Sequence, residues 1–127
     1  MESTLFPEDL LISVFHYFPE KIKEFPADRE TIHRAFYKVS RDYPEIFKGF
    51  AFKKDKLFPT CSSLDQALHN LQYCHLIEIP VPSLKEYRLN KESIDSLFRD
   101  LEPNLNPLTK NQIQEIAANL YPILTKN

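Results

Sequence analysis

Apolar residues recur along this chain at two alternating periods, and the places where the period changes mark out its elements. Leu64, Ala67, Leu68, Leu71 and Cys74 share one helical face, while Asp65, Gln66, His69, Asn70, Gln72 and Tyr73 fall outside it and are free to meet a partner. Ser63 and Gln66 have capping-box spacing, in which hydroxyl and amide satisfy two unpaired backbone N–H groups, so the helix is expected to begin at Ser62 or Ser63. After His75 the period drops to two. Ile77, Ile79 and Val81 alternate with Glu78 and Pro80, and the pattern resumes at Tyr87 and Leu89 among Lys85, Glu86 and Arg88. Pro80, Pro82 and Ser83 mark the tip between the strands, so residues 62–89 predict a helix followed by a hairpin.

The N-terminal part repeats the helical period. Pro7 suits a first turn, Glu8 and Asp9 complement the helix dipole, and Leu10, Leu11, Val14, Phe15 and Phe18 form a stripe that ends before Pro19, with Phe6 placed to staple back onto it. Asp28 is the expected N-cap of a second helix running to about Tyr43, with Ile32, Ala35, Phe36, Val39 and Tyr43 inward and a basic stripe of Arg34, Lys38 and Arg41, with Tyr37, outward. Pro44 starts a short turn through Phe47, and Gly49 releases the chain into Phe50, Ala51 and Phe52. Those three are read as a short strand, the first of a small sheet, with Lys53, Lys54 and Lys56 at its end. Asn90 caps a further helix carrying Ile94, Leu97, Phe98 and Leu101, and Glu102 to Leu108 form a linker. Thr109 and Gln112 make a second capping box ahead of Ile113, Ile116, Ala117, Leu120 and Leu124. The expected organisation is one domain over 1–101, then a linker and C-terminal helix over 102–127. That helix either folds back on the domain or forms a homodimer through Ile113, Ile116, Leu120 and Leu124.

Composition narrows the function. A formal charge of −2, with ten basic and ten acidic residues over positions 1–60 and six and eight over 61–127, leaves neither half a basic arm or an acidic tail and gives no global pull toward nucleic acid or anionic membrane. The longest uncharged run, Leu10 to Phe18, is far short of a membrane span, and no signal-peptide pattern opens the sequence. A cytoplasmic location is therefore expected, with Cys61 and Cys74 reduced and Cys74 on the packing face. Gly49 is the only glycine, which excludes phosphate-cradling loops built on several glycines.

Reactive residues are present without a reactive pattern. Cys61, His69, Cys74 and His75 match no familiar zinc spacing. Cys74 would need His33 or His16 beside it to act as a nucleophile, and the carboxylate pairs Glu8/Asp9 and Asp95/Asp100 fall on outer helical faces. No catalytic residue, metal or cofactor is assigned. Binding is the better reading: Gln66, His69, Asn70 and Tyr73 present polar atoms of the kind that read base edges, while Lys or Arg for phosphates must come from Arg34, Lys38 and Arg41, from Lys53, Lys54 and Lys56, or from Lys85 and Arg88. Glu30 before Arg34 and Asp42 after Lys38 have the spacing of ordinary surface ion pairs.

The run from Leu64 to Ile77, with its Leu76-Ile77 step into a strand, the proline-rich tip and Tyr87-Arg88-Leu89 resemble the third helix and wing of a winged-helix domain. More faintly, the chain is similar to small bacterial and phage antitoxin-like proteins. The resemblance implies a mainly helical fold with a small antiparallel hairpin or sheet, and a regulatory or adaptor protein that binds a protein partner or double-stranded DNA. The chain departs from that pattern at His75, where the helix-to-wing step usually has glycine, and in the uncharged face of the third helix.

Overall fold

A computed structural model describes residues 5–22, 24–54, 56–80 and 85–125. The fold is mainly α-helical with one small antiparallel sheet. Its centre is α1, Pro7–His16, in which all six residues from Leu10 to Phe15 are buried. Ser13 belongs to that run at no cost in unpaired polarity, because its hydroxyl donates to the Asp9 carbonyl at 2.9 Å. The expected stripe is thus only part of what α1 buries. Phe6 does not staple onto it and stands 72% exposed.

Strand β1, Glu24–Pro26, precedes α2, Arg29–Ser40, and α3, Ser62–Tyr73, follows a long connection. Strands β2, Ile77–Glu78, and β3, Glu86–Leu89, then complete a sheet of order β1-β3-β2, with Phe25 opposite Tyr87 and Ile77 opposite Leu89. Val81, Pro82 and Ser83 of the expected hairpin lie outside the described residues. The first strand is therefore Glu24–Pro26 and not Phe50–Phe52. An edge position tolerates Pro26, which has no N–H to give. Phe50 instead packs on Phe47 at 5.3 Å and Phe52 on Tyr37 at 5.4 Å, so both rings serve the flank of α2.

Capping explains where the helices begin. The Asp28 carboxylate accepts from the Thr31 N–H at 3.0 Å, as expected, and α2 ends at Ser40, short of Tyr43, where the chain tightens into i→i−3 bonds from Asp42 to Val39 and from Tyr43 to Ser40 ahead of Pro44. Helix α3 begins at Ser62, but Ser63 and Gln66 form no capping box: Cys61 is the N-cap, and the Gln66 amide donates to Asn70. At the other end His75 adopts a left-handed φ of 63°. The Leu76 N–H then reaches the Leu71 carbonyl at 2.9 Å and the His75 N–H reaches that of Gln72 at 3.0 Å, the paired bonds of a Schellman cap. Cys74 is consequently turned outward and exposed, against expectation, while Cys61 is buried.

Asn90 caps α4, Lys91–Leu101, by accepting from the Ser93 N–H at 3.3 Å, and also donates to the His75 carbonyl. Ile94 and Phe98 face inward, whereas Leu97 is exposed. A 3-10 turn, Glu102–Asn104, occupies the expected linker, and α5 spans Pro107–Leu124 with Asn106 as its cap in place of the Thr109/Gln112 box. Helix α5 packs on α1 and α2, and Ile113, Ile116, Leu120 and Leu124 are all 0% exposed. Those four side chains cannot form a dimer interface, since the chain's own core already covers them. No helix among the described residues is long and apolar enough to cross a membrane.

Candidate macromolecular interface

Two basic stretches that are separate in sequence become one surface along α2. Lys53 and Thr60 exchange backbone hydrogen bonds of 2.7 and 2.9 Å, closing the intervening residues into a narrow loop. That loop lies along the outer side of α2. Arg34 donates to the Leu57 carbonyl at 3.4 Å and sits 6.0 Å from the Phe58 ring centre, while Lys54 and Arg41 both lie over Tyr37, at 5.7 and 5.9 Å. Arg34, Lys38, Arg41, Lys53, Lys54 and Lys56 are all exposed. Residues 29–56 hold eight of the chain's lysines and arginines against four acids, so a chain of charge −2 concentrates positive charge here. Arg34 pairs with Glu30 at 2.8 Å as the spacing implied, but Lys38 and Asp42 form no ion pair.

At the seam between α2 and α3 a buried histidine anchors a network that the sequence did not reveal. His33 is fully buried, and its Nδ1 accepts the Cys61 N–H at 3.0 Å. A backbone N–H can only donate, so the ring must carry its hydrogen on Nε2, which donates to Asp65 Oδ1 at 2.7 Å. Arg29 donates to both oxygens of the same carboxylate through three contacts of 2.7–3.2 Å. Partial burial raises the Asp65 pKa, but the hydrogen bonds from Arg29 and His33 outweigh it and hold the carboxyl below its ordinary value. The available signal was Arg29 and His33 at i, i+4 on α2; what hid their role was that Asp65 belongs to another helix.

The remaining candidates divide among different settings. On α3, Asn70 donates to Glu8 of α1 at 2.7 Å and accepts from Gln66, so this pair is engaged with a carboxylate. His69 and Gln72 border an open cleft with Arg29, Asp65 and Tyr87, and Tyr73 projects with 80% exposure. Burial, then the nearby Asp65 charge, raise the Tyr87 pKa. On β3, Arg88 reaches Glu24 of β1 at 3.4 Å, and Lys85 is exposed. Thus α3 presents Asp65 and neutral groups, with Glu8 beside it, while the cations gather on α2 and its loop.

The reactive residues are held apart. Cys74 stands about 20 Å along α3 from the Cys61 N–H that His33 engages, by helical rise alone. His16 donates from Nδ1 to Asp95 at 2.7 Å and stacks on Phe98 at 4.0 Å. Among the described residues no three His, Cys, Asp or Glu side chains converge as a metal site would require. No protein-family model, curated protein or solved structure matches this chain.

Proposed function

We propose that this chain is a non-enzymatic, winged-helix-like regulatory or adaptor module whose partner is a protein and not a DNA groove. The order helix, strand, helix, helix, hairpin, with β1 beside β3, supports the winged-helix reading. One observation carries the choice of partner: α3, the helix that would enter a groove, presents no lysine or arginine, and the carboxylates of Asp65 and Glu8 lie on or against it. Phosphates would find no free cation on that helix, since the neighbouring Arg29 is already paired with Asp65. A reducing, cytoplasmic setting fits the cysteines, which sit about 20 Å apart at opposite ends of α3, beyond the reach of a disulfide.

DNA binding is the second reading, favoured by the fusion of the two basic stretches into one face. A salt titration with mixed-sequence duplex DNA separates the two. The protein-partner reading expects no binding tighter than weak non-specific contact and only a shallow dependence on salt. Tight binding with a steep loss of affinity between low and physiological salt would mean that several phosphates are engaged, and would replace it with the DNA reading.

A further inference from the structure

Leu57 is the most exposed large apolar side chain among the described residues, at 95%, and it belongs to the loop that carries Lys53, Lys54 and Lys56 along α2. A single exposed leucine is ordinary on a protein surface. This one is at the end of a closed loop, its own carbonyl held by Arg34, with Lys53, Lys54 and Lys56 beside it in the chain and the α2 cations across from it. We propose that the face formed by Arg34, Lys38, Arg41, Lys53, Lys54 and Lys56 around Leu57 docks an acidic protein segment that places an apolar side chain on Leu57 and carboxylates on the surrounding cations. The inference rests on the protein-partner reading above and supplies its surface and chemistry.

Two features favour an acidic peptide over a nucleic acid strand at this face. Single strands bind by stacking bases on open aromatic faces. Here Tyr37 has Arg41 and Lys54 over it and Phe58 has Arg29 and Arg34, so the rings hold the cations in place and offer no free platform. An apolar loop tip flanked by cations, in contrast, matches an acidic segment with a leucine or phenylalanine among its carboxylates, as arginine-rich surfaces match acidic motifs. Long-range attraction would speed the encounter and fade with salt, while Leu57 would contribute an apolar contact that salt does not screen.

Fluorescence anisotropy tests this with a labelled acidic peptide of about four helical turns containing leucines, and with a duplex and a single-stranded oligonucleotide of similar charge. The full-length protein is compared with Lys53→Glu/Lys54→Glu/Lys56→Glu, Leu57→Ala and Tyr73→Ala, all at exposed positions, with circular dichroism confirming the fold. The peptide is expected to bind, about tenfold or more weaker to the triple variant and about fivefold weaker to Leu57→Ala, with Tyr73→Ala silent. Peptide binding that survives both face variants but falls with Tyr73→Ala would overturn this surface and leave the protein-partner reading standing on α3. Oligonucleotide binding that the triple variant abolishes and Leu57→Ala leaves intact would overturn both. No binding of the peptide would overturn the acidic-segment assignment alone.

Discussion

Two residues show how single side chains set local backbone and charge. His75 holds a left-handed φ of 63° because the Schellman cap of α3 demands it, and an L-residue pays about 1–2 kcal/mol there. His75→Gly should therefore stabilise the protein by about 0.5–1 kcal/mol, glycine's greater freedom in the unfolded chain cancelling part of the gain. A urea midpoint that falls instead of rising would mean that the imidazole makes an interaction worth more than the backbone strain. Asp65 has the opposite character, since its charge is what the fold uses. Its lowered pKa contributes stability that is present above the ordinary carboxylate value of 3.8 and is lost as pH falls through the lowered value. Asp65→Asn should be less stable at neutral pH and lose stability less steeply below about pH 4 than the parent; parallel acid-denaturation curves would count against this role.

At the scale of elements, Lys91 joins α4 to α1. Its Nζ donates to the carbonyls of Phe15, His16 and Phe18 at 2.8–3.1 Å, gathering three acceptors at and just past the end of α1 under one positive charge. Burial lowers its pKa, against the pull of Asp95 and Glu20. Lys91→Met keeps the stem and loses the donors, so it should cost about 2 kcal/mol in chemical denaturation, and Lys91→Arg should not restore the loss because a planar fork cannot converge on three carbonyls. Elements of this kind differ in how legible they are. The caps at Asp28 and Asn90 could be read because a short polar residue stands directly before an apolar period, and Leu68 and Leu71 could be placed in the core by spacing alone. Strand β1 could not, since three residues ending in proline carry no period, and its partner lies about sixty residues away in β3. Likewise Ser63 looked like a cap because the competing arrangement, His33 binding the Cys61 N–H, depends on a contact between helices. On the candidate face the charges were visible but not their union, which depends on the Lys53–Thr60 closure.

For the whole molecule, α5 completes the core instead of presenting a surface. Its stripe has no exposure, and removing it would uncover apolar faces of both α1 and α2. A chain ending at Asn106 should lose its cooperative thermal transition and bind a hydrophobic dye, whereas a soluble monomer that still melts sharply would show α5 to be dispensable. The same arrangement has a consequence during synthesis. Helix α1 is made before each of α3, α4 and α5, against which it packs, and α5 follows some hundred residues later. Contacts between elements distant in sequence form only once both have been made, and domains generally fold as units. Here the apolar face from Leu10 to Phe15 stays without its full cover until α5 has been made, so during synthesis this stretch is open to any factor that holds apolar segments.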